Sequence, residues 1–205
     1  MVVIIDYQAG NIGSIRNMFK KIGVEAVITS DVEIVGQANR LVLPGVGAFD
    51  YGMQKLAELG LLDVLHVKTK QEKTPVLGIC LGAQLMCLRS EEGVLPGLGW
   101  IDAEVKRFPK QMGGNKFTVP HMGWEIVRPL RASRITSSLP EPSRFYFVHS
   151  YYISCSDDSD RLISSKYSVS FDAAFERDNI VGVQFHPEKS HSFGKQLLRN
   201  FVERY

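Results

Sequence analysis

The sequence of 205 residues has little cysteine, no long apolar run and no block of charge of one sign. Its three cysteines, Cys80, Cys87 and Cys155, include no CxxC pair, which argues against a disulfide framework and against a zinc ribbon. The apolar start at 1–5 has no basic residues before it and stops at Asp6, too short for a signal peptide or a membrane span. We therefore expect a cytoplasmic protein that does not bind membranes.

Charge is nearly balanced, with 24 lysine and arginine residues against 22 aspartate and glutamate residues. A nucleic-acid-binding surface needs clustered basic residues to neutralise phosphates, and no such cluster is present, so we expect no nucleic-acid partner. A chain of this length that is 44% hydrophobic can bury one sizeable core. Because no proline- or serine-rich linker divides it, we predict a single domain over residues 1–205.

The first ninety residues alternate between strand and helix patterns. Apolar, β-branched runs at 2–5, 25–28, 40–43 and 75–79 are followed by loops and by helical spacing at 12–22, 53–65 and 81–86. This alternation predicts an α/β fold with a doubly wound, mainly parallel sheet flanked by helices. The second half adds short strands that make the sheet mixed, and then a helix over 190–204. These strands are predicted at 100–107, 117–119, 125–127, 144–149, 162–167, 171–175 and 180–185.

Two glycine patterns for phosphate binding fail. Gly45-Val46-Gly47 follows a predicted strand, but the third glycine of a dinucleotide fingerprint would fall at Asp50. No GxxxxGK[ST] loop occurs, and we predict no cofactor. Backbone N–H groups of such a glycine pair can face a developing negative charge, so Val46 and Gly47 are candidates for half of an oxyanion hole.

Gly78-Ile79-Cys80-Leu81-Gly82 has the form of a nucleophile turn between a strand and a helix. Such a strained turn exposes the nucleophile, and its flanking glycines let strand and helix approach closely. The alternative is that Cys80 is an ordinary buried small residue. Cys87 is expected two turns up the same helix, too far for a disulfide, and with Cys155 it is interpreted as structural.

A histidine and a glutamate follow the last predicted strand, at Gln184-Phe185-His186-Pro187-Glu188. A thiolate nucleophile needs an acid–base group, and that group needs an orienting partner. Proline favours an extended backbone at the preceding residue, so the two-residue period of an extended chain places His186 and Glu188 on the same side. The alternatives are a solvated loop histidine, or a metal site of Cys80, His186 and His191. The metal site lacks paired ligand spacing, and we predict none.

Together, the GICLG, PGVG and HPE segments resemble the class I, triad-type glutamine amidotransferases, from Ile4-Ile5-Asp6-Tyr7 to the C-terminal helix. Three further blocks are similar to one subgroup, the glutaminase subunits of imidazole glycerol phosphate synthases. These blocks are PHMGW at 120–124, YFVHSY at 146–151 and HPEKS at 186–190. The first motifs mark only the wider family, whereas these three blocks are specific to the subgroup.

The resemblance implies that the Cys80 thiolate attacks the side-chain carboxamide of glutamine and that His186, held by Glu188, protonates the departing ammonia. Water then hydrolyses the thioester to glutamate. It also implies an oxyanion hole and a glutamine pocket. The implied oxyanion donors are the N–H of Leu81 and an N–H of the Val46–Gly47 segment. The implied glutamine-binding groups are Gln84, Glu92 and the backbone of Ser150 and Tyr151. Without the resemblance, Gln84 is simply a polar helix residue and Glu92 part of a solvated acidic pair.

The resemblance further implies a heterodimer with a (β/α)₈ cyclase subunit that receives the ammonia. Such a partner makes imidazole glycerol phosphate and aminoimidazole carboxamide ribotide, in histidine biosynthesis. We expect little glutaminase activity until the ligand-loaded partner reorganises the PGVG segment. The positions implied to face it are Asn11, Trp124, Tyr146 and Lys189. Core packing is the alternative for the two aromatic residues, and simple solvation is the alternative for Lys189.

Three residues depart from the subgroup pattern: Gln8 stands in place of glycine, Ala83 in place of methionine and Glu125 in place of asparagine. They bear on the pathway and the partner rather than on the triad. Segments 10–15 and 92–100 are also similar to paralogous subunits that supply ammonia to surface-sugar amidotransferases, which is the second hypothesis. A third is a catalytically idle scaffold that binds a partner, and the intact triad argues against it.

Overall fold

The computed structural model describes all residues from Met1 to Tyr205 and is built on one large mixed sheet. Five strands at one side of the sheet are parallel, and the strands beyond them are antiparallel. The first-half strands are β1 (Val2–Ile5), β2 (Ala26–Thr29), β3 (Arg40–Leu43), β4 (Val76–Ile79) and β5 (Arg89–Ser90). The others are β6 (Ala103–Arg107), β7 (Gln111–Met112), β8 (Asn115–Lys116), β9 (His121–Pro129), β10 (Ser143–His149), β11 (Tyr151–Cys155), β12 (Arg161–Lys166), β13 (Ser170–Arg177) and β14 (Ile180–Val183).

The strand order along the main sheet is β10-β9-β12-β13-β14-β4-β3-β1-β2. Strand β11 pairs with β13 and β6, while β5 pairs with β6, and β7 and β8 form a separate hairpin. In the parallel part, β14 lies next to β4 and β4 next to β3. The loops that follow these three strands therefore meet at one edge of the sheet, where open α/β sheets bind their ligands.

Helices cover both faces of the parallel strands. They are α1 (Ile12–Lys21), α2 (Val32–Gly36), α3 (Phe49–Glu58), α4 (Leu61–His66), α5 (Leu81–Leu85) and α6 (His191–Arg204), with a π-helical turn at Val67–Gln71 and a 3₁₀ turn at Pro187–Lys189. Along β1, Val2 and Ile4 join the core beneath α1 and α6, whereas Val3 and Ile5 join the core beneath α2 to α5. The predicted doubly wound mixed sheet is confirmed. None of the helices is long and apolar enough to cross a membrane.

Several details differ from the sequence predictions, among them the unpredicted α2 and β5. The helical pattern at 53–65 is two helices, because Gly60 between them has a left-handed φ of +66°. The segment 117–119 is not a strand; the hairpin β7–β8 lies just before it. Strand β11, which pairs with β6 over five residue pairs, was not predicted. Helix α5 ends at Leu85, so Cys87 lies beyond it rather than two turns along it.

Candidate active site

Cys80 occupies a sharp turn between β4 and α5. Its backbone has φ +53° and ψ −110°, a conformation that few residues other than glycine adopt, and its N–H donates to the Val183 carbonyl at 2.8 Å. A Cβ at Gly82 would lie 1.8 Å from the Leu43 carbonyl oxygen, so only glycine allows α5 to begin so close to β3. The turn holds the Cys80 side chain, 7% exposed, at the wall of a cavity.

His186 and Glu188 form the second half of the predicted triad. His186 Nδ1 lies 2.8 Å from Glu188 Oε1, and both side chains are only 2% exposed. The other ring nitrogen, Nε2, is buried and has no hydrogen-bond partner within the protein. His186 has the expected extended backbone, but the two-residue period does not continue to Glu188, which reaches His186 from the 3₁₀ turn Pro187–Lys189. The predicted pair is nonetheless in contact, with Nε2 left for chemistry.

The surroundings of His186 favour its charged form. Burial alone lowers the pKa of the imidazole, but its interactions with Cys80 and Glu188 outweigh burial and raise the pKa of His186 to about 10. Because the raised pKa lies above neutral pH, the imidazolium persists through the neutral range. His186 therefore holds a proton that it can give to a leaving amine.

A cavity of about 370 Å³ adjoins the cysteine, a size typical of pockets for small molecules. All of the predicted oxyanion and glutamine-binding residues border it, as do three residues to which the sequence assigned no role. The lining comprises Val46, Gly47, Cys80, Leu81, Gln84, Glu92, Pro120, Val148, His149, Ser150 and Tyr151. The structure thus brings together segments that are far apart in the chain.

Gln84 connects the cavity wall to the nucleophile. Its Nε2 donates to the Tyr151 carbonyl at 3.1 Å and to Gln184 Oε1 at 3.0 Å. Gln184 Nε2 in turn donates to Cys80 Sγ at 3.7 Å. Since both N–H groups of Gln84 are used, its Oε1 is the atom that it can offer to a substrate. Gln184 is fully buried and directly follows β14; the apolar run of that strand gave no signal that this residue contacts the nucleophile.

Glu92 is a half-buried carboxylate at the other side of the cavity. Its Oε2 accepts the N–H of Phe49, the first residue of α3, at 2.9 Å. Burial raises the pKa of Glu92, the Phe49 N–H lowers it, and the nearby charge of Asp50 raises it further. Glu92 is therefore held in place by the backbone rather than freely solvated, and it can bind an ammonium group.

The predicted oxyanion donors are not arranged as an oxyanion hole in this conformation. The Leu81 N–H donates to the Gly45 carbonyl at 3.2 Å and is not free to bind an oxyanion. The preceding carbonyl, of Pro44, accepts the hydroxyl of the fully buried Tyr7. Val46 is 43% exposed, and Gly47 has φ +110°. The Gly45 carbonyl has to move before Leu81 can serve the predicted role.

Three of the four predicted partner-facing residues form one patch. Trp124 is 39% exposed, so the core-packing alternative is wrong for it, and its ring lies 6.2 Å from that of half-buried Tyr146. Lys189 Nζ lies 5.6 Å from the centroid of the Tyr146 ring. The fourth residue, Asn11, is exposed at the start of α1. His191 stacks on Trp124 at 5.5 Å.

The remaining cysteines, Cys87 and Cys155, do not line the cavity. No group of three His, Cys, Asp or Glu side chains in the structure is arranged to hold a metal ion. Cys87 and Cys155 are free thiols, and burial raises the pKa of both, which keeps them protonated. Cys155 lies beside the Asp172 carboxylate, whereas Cys80 is the cysteine that interacts with a histidine, His186.

Comparison with known sequences points to one family. The family model described as "Glutamine amidotransferase class-I" matches residues 3–205. The chain is 52% identical to "Imidazole glycerol phosphate synthase subunit HisH 2" of Methanococcus maripaludis over 204 residues, which covers 100% of both chains. It is also 52% identical to a protein of the same name from Pseudomonas aeruginosa, covering 99% of each, and 42% identical to the HisH subunit of Bdellovibrio bacteriovorus, covering 99% and 100%.

Comparison with solved structures identifies the same fold. A crystal structure of a glutamine amidotransferase superposes with a TM-score of 0.75 at 19% identity, covering 99% of this chain and 98% of the other. A glutamine amidotransferase of Thermotoga maritima superposes with a TM-score of 0.70 at 18% identity, covering 99% and 96%. At these identities the likeness concerns the fold alone.

Proposed function

The chain belongs to the class I glutamine amidotransferase family, and from this premise we propose that it is the glutaminase subunit of an imidazole glycerol phosphate synthase. It hydrolyses glutamine to glutamate and ammonia. The observation that carries the proposal is the contact of His186 with Glu188 beside Cys80, at a cavity that Gln84 and Glu92 also line. Full-length identities of up to 52% to HisH subunits support the choice of synthase.

The site supports a two-step reaction. The Cys80 sulfur attacks the side-chain carbonyl carbon of glutamine, and the C–N bond breaks as His186 gives its Nε2 proton to the leaving ammonia. His186 then takes a proton from a water molecule that attacks the thioester, which releases glutamate and restores the thiolate–imidazolium pair. Glu188 holds the imidazole on Nδ1 throughout, so that Nε2 always faces the reacting atoms.

Substrate orientation follows from the two polar ends of the cavity. Glu92 supplies a negative charge for the α-ammonium group of glutamine, while Gln84 Oε1 accepts a hydrogen bond from the carboxamide nitrogen. The backbone of Ser150 and Tyr151 forms the wall between them. These contacts place the carboxamide at Cys80 rather than at the cavity mouth.

The partner that we propose is a (β/α)₈ cyclase subunit, which uses the ammonia to make imidazole glycerol phosphate and aminoimidazole carboxamide ribotide. The exposed patch of Trp124, Tyr146 and Lys189 supports a docking site on the same sheet as the active-site strands. Aromatic residues beside a basic residue are typical anchors of protein interfaces. The bond between Leu81 and Gly45 supports partner-dependent activation, since the oxyanion donors are not free without a rearrangement.

The nucleophile is tested by Cys80→Ala, with Cys155→Ala as the matched control. Both variants are assembled with a histidine-pathway cyclase barrel and its nucleotide, and glutamate release is measured. We expect the turnover rate to fall by about 10³-fold or more in Cys80→Ala and to be unchanged in Cys155→Ala. Unchanged glutamine hydrolysis in Cys80→Ala would contradict the assignment.

The recipient is tested in the same assay by exchanging the partner. Turnover that rises with the ligand-loaded barrel supports the proposed synthase. No turnover with a folded, ligand-loaded barrel refutes it, and turnover with a surface-sugar amidotransferase would then establish the alternative recipient. Inactivity with every partner would instead indicate a catalytically idle scaffold.

A further inference from the structure

Two buried histidines next to the cavity take no part in the proposed reaction. His121 and His149 face each other across β9 and β10, are 1% and 6% exposed, and have ring nitrogens 3.2 Å apart, Nδ1 of His121 to Nε2 of His149. His149 Nδ1 lies 2.7 Å from the Tyr151 carbonyl oxygen. At the other end, His121 Nε2 lies 3.4 Å from Glu125 Oε1.

The three contacts form a chain whose protons can be counted. The Tyr151 carbonyl can only accept, so His149 must carry a proton on Nδ1, and its Nε2 is then an acceptor when the ring is neutral. His121 must therefore donate through Nδ1. The Glu125 carboxylate also accepts, and so requires a second proton on the same ring. Three contacts need three protons, whereas two neutral imidazoles carry two.

We propose that His121 and His149 are positioning residues for the glutamine pocket, which together with Glu125 fix the Tyr151 carbonyl through this chain, and that the His121–Glu125 pair holds the third, titratable proton. The inference rests on the proposed function of the pocket. The position of the Tyr151 carbonyl affects the rest of the glutamine pocket, because this carbonyl accepts a hydrogen bond from Gln84. Gln84 in turn is linked through Gln184 to Cys80.

Loss of the third proton reverses part of the chain. The carboxylate is the strongest acceptor present, so the proton that remains on His121 stays at Nε2, facing Glu125. Nδ1 of His121 and Nε2 of His149 then face each other as two acceptors without a proton between them. The alternative is that His149 moves its proton from Nδ1 to Nε2, which leaves its Nδ1 facing the Tyr151 carbonyl oxygen as two acceptors. Either outcome removes one hydrogen bond from the inner part of the chain and loosens the pocket wall.

The surroundings shift the pKa of His121 downward from its ordinary value. Burial lowers the pKa of His121, and the charge and hydrogen bond of Glu125 oppose that effect. Burial lowers the pKa of His149, the hydrogen bond to the Tyr151 carbonyl raises it, and the nearby His121 and His186 lower it again; together they bring the pKa of His149 to about 3, so His149 stays neutral. Tyr167 stacks on His121 at 4.1 Å.

Other charged groups near the carboxylate are basic. Arg128 and Lys166 line the same surface groove as Glu125. The other aromatic neighbours of the two histidines are the apolar rings of Phe108, Phe147 and Phe171. Glutamine in place of Glu125 can donate its amide N–H to a neutral His121, so that variant needs no third proton.

The first test is the imidazole nitrogen NMR spectrum of the intact chain between pH 5 and 8, for the native protein and for Glu125→Gln. We expect His149 to carry its proton on Nδ1 at low pH in the native protein and at every pH in Glu125→Gln. His121 should lose a proton as pH rises in the native protein only. A His149 proton on Nε2 at every pH, or the same His121 titration in both proteins, would overturn the proposed series of hydrogen bonds.

The second test measures KM and kcat for glutamine in the assembled complex at saturating partner. At each pH the native KM is divided by the KM of Glu125→Gln. This ratio removes the effects of all groups that titrate in the same way in both proteins. We expect it to rise about threefold from pH 5.5 to 8, the effect of one weakened hydrogen bond, with no pH trend in the kcat ratio. Glu203→Gln, an exposed change on α6, is the matched control and should give a constant ratio.

The two tests separate the possible failures. The expected spectra with a constant KM ratio would mean that the chain exists but does not position the pocket, which refutes the positioning role. If no glutamine is hydrolysed with any partner, the proposed function fails and the positioning role fails with it. The spectra, which need neither partner nor substrate, then still show whether the proton chain itself is present.

Discussion

Replacing Gly82 by alanine tests how closely the nucleophile turn must approach the sheet. The added Cβ would lie 1.8 Å from the Leu43 carbonyl oxygen, 2.6 Å from the Leu43 carbonyl carbon and 3.2 Å from the Pro44 carbonyl carbon. All three atoms belong to the backbone, so no side chain can rotate away. To restore van der Waals contact, the start of α5 and the end of β3 must separate by more than about 1 Å.

That displacement has two expected costs. Overpacking of a buried contact costs about 1–3 kcal/mol of unfolding free energy, and we expect the upper end because rigid backbone must move. The turn carries Cys80, so the sulfur shifts relative to His186, and a shift of about 1 Å in a reacting group lowers the rate about 10²-fold. Gly82→Ala should therefore lose both stability and glutaminase activity.

Urea denaturation and glutaminase assays of the assembled complex measure the two effects. Gly13→Ala is the matched control: nothing lies within 4 Å of its Cβ position on α1, so we expect about 0.5–1 kcal/mol of added stability and unchanged activity. Native-like stability and activity in Gly82→Ala would refute the argument from close approach.

Three further changes probe the site. Glu188→Gln removes the charge that stabilises the His186 imidazolium, so the pKa of His186 falls from about 10 and His186 loses its proton at a lower pH than in the native protein. We expect kcat to drop by about 10²-fold or more, and an unchanged kcat–pH profile would contradict this. Glu92→Gln keeps an acceptor for the Phe49 N–H but loses the negative charge. We expect KM for glutamine to rise about tenfold with kcat little changed. A fall in kcat alone would contradict the role of Glu92 in binding the α-ammonium group. Trp124→Ala should weaken partner binding by about 2 kcal/mol in calorimetry, and unaltered affinity would remove Trp124 from the interface.

The parallel half of the fold could be predicted because its signal is local. Each strand of that half contains a short apolar run, and glycine or proline marks the loops after β1, β3 and β14. Alternate residues of β1 belong to the cores on opposite faces of the sheet, as the two-residue period requires. The nucleophile turn could be predicted for the same reason, since glycines are needed on both sides of Cys80 and are visible in the sequence.

The antiparallel half could not be predicted to the same extent, because its pairing depends on distant residues. Tyr151–Cys155 has little period-two pattern, yet it forms β11 by pairing with β6, whose partner residues lie more than forty positions earlier. His121 and His149 face each other for a similar reason, through the register of β9 with β10. Composition and spacing carry no information about that register.

For the oxyanion segment, the sequence was sufficient to predict which residues take part but not which hydrogen bonds they make. Leu81 N–H is bound to the Gly45 carbonyl, and the hydroxyl of Tyr7 holds the preceding carbonyl of Pro44. A side chain at Gly45 would collide with Tyr7 and with Leu81, so the segment is closely packed on its inner side, whereas Val46 is exposed on its outer side. The proposed activation by a partner therefore requires a contact at the exposed Val46 that turns the Gly45 carbonyl and frees the Leu81 N–H.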